Sequence, residues 1–558
     1  MHFIHTMYNN NTCTIRIQGV DYEGFPLEGG VRQGCPLSPL LFAVCVDILL
    51  RMLVHEIPDI CVKAFADDIA GVISNWFSHA PQLHKIFKDF EEISNLALNM
   101  GKTLCIPLWP GGINEVKCDI SNVVPQWVEI VVDDCGTYLG FVIGPGKASK
   151  SWAAPLKKYR GRVDKWSQLG KGMQYSVLTY NTFATSTLSY VAQLENVPEE
   201  ASKEECRQVV KMFPGPGHWI EPSDAWYLKE SFGACKSAQS LNVLASAAKL
   251  RVASLGCHFG LKRIQPHNLR RLGPDNIFAR VKELDREIRD TDHIDRVAHF
   301  NIWYKKSFCR NLVDNVHNLK ARGIHAHDIF SNISGKPLNQ IDEDDVEKIK
   351  GAFQSNVVMA LKNISKPDAV ERIRRKLDRW FKCSHGLHGN PGTICPKIHR
   401  RLLVVGKLTP PRVHAAVLHT IFNGWATHRR MQRRRRPTNT CVFGCGGDAE
   451  DSIEHYCRCA VILRVAKHIF HIVYPESHGL DLWVLNSDFV NMPEHLMSMS
   501  LLLYGAYNAF NTLRQARVSD TQQAFLCIVQ HCKQGAFGHK KCMSHLDSRW
   551  AAPFVHLI

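Results

Sequence analysis

Apolar residues recur along most of this chain at helical spacing, and strand-like runs stand near its amino-terminal end. The first long apolar run, Leu40 to Val54, is interrupted by Asp47 and Arg51 and follows a Gly-rich turn that ends in Ser38 and Pro39. Serine is a good N-cap and proline is favoured at the first helical position, so a buried helix is predicted from about Pro39 to Val54. That run is read as too short to span a bilayer. Next, Ala64-Phe65-Ala66-Asp67-Asp68-Ile69 sets two adjacent carboxylates between apolar residues of strand character. This pattern predicts a tight β-hairpin with negative charge at its tip. Leu83, Ile86, Phe87, Phe90, Ile93 and Ala97 then fall on one face of an amphipathic helix. That helix closes on Leu98-Asn99-Met100-Gly101-Lys102-Thr103 and a short strand, Leu104 to Leu108.

Gly144-Pro145-Gly146 marks a boundary. Beyond it, Trp152 to about Val197 reads as helices with exposed Lys157, Lys158, Arg160, Arg162 and Lys165, until Phe213-Pro214-Gly215-Pro216-Gly217 breaks the pattern again. From 218 to 400 the periodicity is mainly that of amphipathic helices, as in Ile277 to Ile288, Ile341 to Leu361 and Pro367 to Phe381. The last of these carries Arg372, Arg374, Arg375, Lys376 and Arg379. A further helix is expected over Leu501 to Arg514, packed on the segment before it. No fixed-period repeat stands out.

A chain of 558 residues is long enough for three or four domains with real cores. Its composition, 45% hydrophobic and 22% charged, is that of an ordinary globular protein. No secretory signal is read at Met-His-Phe-Ile-His, and an intracellular protein, in the nucleus or the cytoplasm, is expected without a membrane partner. Twenty scattered cysteines fit a reducing compartment, with a subset available for metal. Charge changes the picture more. Residues 1–150 hold 10 Lys/Arg against 16 Asp/Glu, a net of −6, whereas the remainder holds 58 against 36, a net of +22. An acidic piece that holds metal, followed by a basic body that tracks phosphate, fits this division.

Adjacent carboxylates at a hairpin tip call for a counter-charge, and hard divalent cations with oxygen ligands are the usual one. Asp67 and Asp68 do not stand alone. Some thirty residues earlier comes Val31-Arg32-Gln33-Gly34-Cys35-Pro36-Leu37-Ser38-Pro39-Leu40-Leu41-Phe42. Together these two strings resemble the reverse transcriptase family, most closely its non-LTR, LINE-type retrotransposon branch. The Asn-x-x-Lys-Thr ending at Thr103 and the string Thr137-Tyr138-Leu139-Gly140-Phe141 resemble the next two elements of that family in order. The resemblance implies that Asp67 and Asp68 bind Mg2+ and that Lys102 reaches toward an incoming dNTP. It further implies that Gln33, Gly34 and Phe65 lie at the nucleotide, and that Tyr138 and Gly140 belong to a hairpin at the primer end. RNA template and DNA primer or target would be the partners. The implied fold is α+β: a partial palm with a small antiparallel sheet (1–145), a helical thumb (146–225), a helical connector (226–400), an arginine-rich segment with a zinc knuckle (401–480) and closing helices (481–558).

A second chemical site stands apart. Cys441 and Cys445 flank a Gly-bearing turn, and His455 and Cys459 are four residues apart, on one face if that segment is helical. Two such pairs suit a closed tetrahedral Zn2+ site, expected to supply folding energy to a segment too small to fold alone. Cys457 is the alternative to Cys459 and breaks the His-x-x-x-Cys spacing. The region resembles the carboxy-terminal zinc knuckle of LINE-type polyproteins. Just before it, Arg433, Arg434, Arg435 and Arg436 read as a phosphate-contacting arm. Cys383, His385, His388, Cys395 and His399 have ligand-like side chains at intervals that fit no zinc pattern, and are read as a surface loop.

Polymerase chemistry in this family also takes an Asp from an earlier strand. Asp21, Glu23 and Glu28 are read as lying in a loop and as no substitute for it. The chain is therefore expected to be a 5′-truncated copy with little or no polymerase activity. Two alternatives stay open: a non-catalytic RNA- or DNA-binding remnant, and a group II intron maturase.

Overall fold

The computed structural model describes residues 2–550 except 28, 33, 110, 111, 148, 149, 171, 218, 257–277, 280, 285, 287–295, 338, 339, 384, 385, 432–439, 447, 448 and 517–519. It is α+β and mostly helical, in two compact units: Met1–Ser151 with Leu284–Lys305, and Trp152–Glu283 with Lys306–Ile558.

The first unit holds the described strands, and they do not merge into one sheet. Antiparallel pairs form between Asn11–Ile17 and Val20–Leu27, between Cys61–Phe65 and Asp68–Val72, and between Gly136–Tyr138 and Phe141–Ile143. Leu104–Cys105 pairs with Val131–Val132 in parallel. The predicted strand to Leu108 is thus cut to two residues, as Pro107 lacks the N–H that a ladder needs. The hairpin over residues 11–27 was not foreseen. It puts Asp21 and Glu23 on a strand rather than in a loop, with Asp21 held by the Arg16 guanidinium at 2.6 and 2.7 Å.

The core of this unit joins Leu49, Leu53 and Ile57 to Ala80, Leu83, Ile86 and Phe90 of the helix Trp76–Ser94, and to Val116, Ile120 and Trp127. Each Leu, Ile, Val or Phe side chain among them contributes about 1.5–3 kcal/mol on burial. The helical spacing at 83–90 is borne out, but the helix stops at Asn95, whose φ is +57°, so Ala97 lies outside it and Ile93 is exposed.

The apolar run at 40–54 needs correction in three respects. Its helix is Ser38–Glu56, which is long and apolar enough, by length and composition alone, to cross a membrane. It is mostly exposed: Val46, Leu49 and Leu53 face inward, while Leu40, Val44, Ile48 and Val54 are exposed. Leu37, not Ser38, is the N-cap. The Ser38 hydroxyl is engaged elsewhere, donating to the Arg32 carbonyl at 2.6 Å and lying 3.2 Å from the Tyr8 hydroxyl. It fastens the loop before the helix instead of capping it.

The second unit is built of helices, with a large core running from Trp152 to Leu546 in which Trp380, Trp425 and Trp483 are fully buried, and with further buried residues such as Phe330, Ile349 and Phe353 outside that core. The helices predicted at 341–361, 367–381 and 501–514 appear as Glu343–Ile364, Ala369–Phe381 and Pro493–Ala516. The one predicted over Ile277–Ile288 lies largely outside the described residues. The segment after Gly172 is helical to Ala192 but widens to a π turn at Tyr180–Ala184. Tyr180 is buried there, 3.0 Å from the Tyr159 hydroxyl, and donates to Glu205 at 3.4 Å. Glu205 also accepts from the Leu241 N–H at 2.7 Å, and burial pushes its carboxyl up to about 8.

The basic run at 372–379 is largely internal wiring. Arg372 binds Asp224 through two bonds of 2.6 Å and Glu221 at 2.9 Å, Arg374 and Arg375 hold Glu371, and Arg379 holds Glu454. The Cys383–His399 group is not one site among the described residues, and part of it is helix rather than surface loop. His388 meets Asp481 at 3.1 Å, His399 meets the Ser231 carbonyl at 2.8 Å, and Cys395 is buried within the helix Pro391–Leu408. His385 lies outside the described residues.

Candidate catalytic hairpin and metal centre

The acidic pair stands where the sequence places it. Phe65 and Asp68 close the hairpin, leaving Ala66-Asp67 as a two-residue turn. Ala66 takes φ +52°, a value that such turns normally assign to Gly, Asn or Asp. Phe65, Asp67 and Asp68 are all exposed. Both carboxylates are thus presented outward at the end of a short ribbon.

Beside this ribbon stands the hairpin Gly136–Ile143. The Tyr138 hydroxyl donates to the Lys63 carbonyl at 3.5 Å, across 75 positions of sequence. Burial and the Asp68 charge hold its phenol above the ordinary tyrosine range. The two-residue turn of this hairpin, Leu139-Gly140, has φ of +48° and +81°, so glycine at 140 serves the turn. The close approach belongs to Gly136 instead: a Cβ there would lie 1.9 Å from Leu104 Cδ2.

The remaining candidates of this unit are placed less tightly. Gly34 is exposed at φ +88°, in the loop that Ser38 fastens. Gln33 lies outside the described residues. Lys102 is exposed on a turn in which its N–H is held by Asn99, 3.1 Å from both the side-chain and the main-chain oxygen. No contact joins Lys102 to the acidic hairpin among the described residues. Groups of three or more converging His, Cys, Asp or Glu side chains occur there at Cys441–Cys459 and at Asp133-Asp134-Cys135, and Asp67 and Asp68 belong to neither.

In the second unit, Cys441, Cys445, His455 and Cys459 converge, their donor atoms all within 4.8 Å of one another. Cys441 Sγ and Cys459 Sγ are 3.8 Å apart, and Cys445 Sγ is 3.2 Å from His455 Nε2. Ser452 caps the short helix Ile453–Tyr456, its hydroxyl accepting from the His455 N–H at 3.2 Å, which sets the histidine toward the thiols. Cys457 turns away, its thiol donating to the Glu454 carbonyl at 3.3 Å. The neighbouring thiol and burial push Cys441 up to about 12, and burial pushes Cys445 up to about 11. Such a cluster becomes thiolate only against a cation.

The centre is not an isolated knuckle. Phe443, Ile453, Tyr456 and Cys459 belong to the large core, and Tyr456 packs on Trp425 and Phe510 at 5.7 and 5.6 Å. The expectation of a segment too small to fold alone is corrected accordingly, since the final helices supply its floor. Arg433–Arg436 lie outside the described residues.

Known proteins bear on the first unit. Residues 1–143 match the family described as reverse transcriptase (RNA-dependent DNA polymerase). A stretch of 132 residues is 30% identical to the Retrovirus-related Pol polyprotein from type-2 retrotransposable element R2DM of Drosophila melanogaster. That stretch covers 23% of this chain and 12% of the polyprotein. With the acidic hairpin, the loop before Ser38 and the Tyr138 hairpin in this order, residues 1–143 are reverse transcriptase sequence, and part of the chain is similar to a polyprotein of a retrotransposable element.

Proposed function

We propose that this chain handles an RNA template paired with a DNA primer, as the reverse transcriptase portion of a LINE-type element. One observation carries the reading: Tyr138 rests on the strand that leads into Asp67 and Asp68, so the acidic hairpin and the hairpin assigned to the primer end share one place. Asp67 and Asp68 would hold Mg2+, a hard cation suited to exposed carboxylate oxygens. A bound metal pair would favour the deprotonated, nucleophilic form of the 3′ hydroxyl and offset the charge that develops on the leaving pyrophosphate. Lys102 would offer charge to the dNTP phosphates, Gln33, Gly34 and Phe65 would border the nucleotide, and Gly140 would keep the primer hairpin tight. The region 146–225 would act as thumb, with Lys157, Lys158 and Lys165 exposed along the helix Lys150–Ser167. Arg433–Arg436 would contact phosphate. Work of this kind belongs inside the cell, in the nucleus or the cytoplasm.

The Cys/His centre is read as structural Zn2+. Tetrahedral zinc with bonds of about 2.3 Å to sulfur needs its sulfurs about 3.8 Å apart, which is the Cys441–Cys459 spacing. Three thiols and one imidazole leave no open position, so the ion would brace the fold.

As this chain, polymerase activity is expected to be low, because no third carboxylate joins Asp67 and Asp68 among the described residues. That favours nucleic-acid holding over synthesis as the readout. An annealed RNA–DNA template–primer should bind the full chain with affinity falling steeply as salt rises, and primer extension with Mg2+ should yield little product. Absence of template–primer binding would overturn the proposal, and efficient nucleotide incorporation would overturn the low activity.

A further inference from the structure

A cleft of about 360 Å3 opens in the second unit among three elements distant in sequence: Pro222–Trp226 with Tyr227, the start of the helix Leu241–Arg251, and the end of the helix Glu343–Ile364 facing Arg322. Its size is that of a small-ligand pocket. No carboxylate lines it among the described residues. The nearest internal ion pair, Lys362 with Glu230 at 3.1 Å, is already matched. The cation on the wall is Arg322, which is exposed and donates to the Ser365 hydroxyl, and it pairs with no carboxylate among the described residues.

The opposite wall is the start of an 11-residue helix. The first turn of any helix leaves backbone N–H groups without intrahelical partners. Here Glu205, buried behind the helix, takes the Leu241 N–H. Asn242 and Val243 stand at the cleft, and no acceptor for their N–H groups is seen among the described residues. Ser240 is the N-cap, yet its hydroxyl makes no cap bond and has no other partner among the described residues, although the residue is only 6% exposed and lines the cleft. Ser240 thus brings to the cleft lining a hydroxyl that neither caps its helix nor bonds elsewhere among the described residues. Two orphan N–H groups, a free hydroxyl and an unmatched guanidinium form a site for an anion with several oxygens. Trp226 adds an indole to the wall, which a bare inorganic anion would leave unused.

We propose that this cleft binds a phosphorylated nucleoside unit, with its phosphate between Arg322 and the start of the helix Leu241–Arg251 and its base along Trp226. The unit is either a free nucleotide or the 5′-phosphorylated end of a strand. This site is separate from the acidic hairpin, and its failure would leave the reverse transcriptase reading untouched.

The test is equilibrium binding to the full chain of adenosine 5′-monophosphate, adenosine, inorganic phosphate, and a short oligoribonucleotide with and without a 5′-phosphate. The monophosphate is expected to bind at least tenfold tighter than adenosine or inorganic phosphate. Arg322→Gln should weaken it roughly tenfold to a hundredfold, as loss of a charged hydrogen bond does. Ser240→Ala should weaken it several-fold without lowering thermal stability, since that hydroxyl caps nothing. A 5′-phosphorylated oligomer tighter than the monophosphate identifies a strand end as the source, and the reverse order identifies a free nucleotide. Equal affinity for adenosine, equal affinity for inorganic phosphate, affinity unchanged in both variants, or no saturable binding at millimolar concentration would each overturn the proposal.

Discussion

Glu205 offers the cleanest physical test of how the helical unit is held together. Its side chain is 1% exposed, its Oε1 takes the Leu241 N–H and the Tyr180 hydroxyl, and its Oε2 has no partner. Three residues on, Gln208 Oε1 is also buried without a partner. Both orphans are acceptors, so a charged carboxylate at Glu205 would leave its Oε2 buried without a donor. Burial raises the carboxyl from 4.5 to about 8. The sign follows from linkage: the folded state holds a proton that the unfolded state has released, so stability falls as pH rises between those two values. The contribution is complete below pH 4.5 and lost above about 8. At about 1.36 kcal/mol per pH unit over some 3.5 units, the loss approaches roughly 5 kcal/mol. Glu205→Gln keeps the shape and an acceptor for both bonds while removing the titration. Urea unfolding of the full chain, followed by tryptophan fluorescence from pH 5 to 9, should show wild type losing stability and the variant losing far less. Parallel curves for the two proteins would refute the assignment of a neutral, buried Glu205.

Other expectations follow from single contacts. One zinc per chain should be found by elemental analysis, lost in Cys441→Ser and Cys459→Ser but kept in Cys457→Ser, because the Cys457 thiol points to the Glu454 carbonyl; loss in all three would contradict the ligand set. Gly136→Ala forces a Cβ to within 1.9 Å of Leu104 Cδ2 and should cost about 1–3 kcal/mol in thermal unfolding, and an unchanged melt would show that the strand pair is looser than described. Arg372→Met strands Asp224, whose side chain is only 2% exposed, and should cost about 3–5 kcal/mol, whereas Arg374→Met, on the exposed side of the same helix, should stay within about 1 kcal/mol. Calorimetry of the two variants side by side decides it.

What could be foreseen was local. The acidic hairpin is announced by two carboxylates inside a strand-like run only six residues long, and the Cys/His centre by two short spacings, since turn chemistry and helical periodicity act over a few residues. Of the arginines at 372–379, two have partners too remote to read from the sequence: Asp224 lies 148 positions from Arg372, and Glu454 lies 75 from Arg379. A charge run cannot show that its counter-ions arrive by folding. The hairpin over 11–27 was missed for another reason. Ile15, Ile17, Val20, Tyr22 and Phe25 are all exposed, so no buried face imposes the alternation that reveals a strand. The cleft at Ser240 and Arg322 had no signature at all, being assembled from three elements spread over residues 223–367.

The claim that the acidic hairpin stands beside a growing nucleic-acid end can be tested even without catalysis. A DNA primer bearing a photoreactive base at its 3′ terminus, annealed to RNA and irradiated on the full chain with Mg2+, should crosslink within residues 61–72 or 136–143. Asp68→Asn should reduce that yield. Crosslinks confined to residues 152–558, with the yield indifferent to Mg2+ and to Asp68→Asn, would contradict the account.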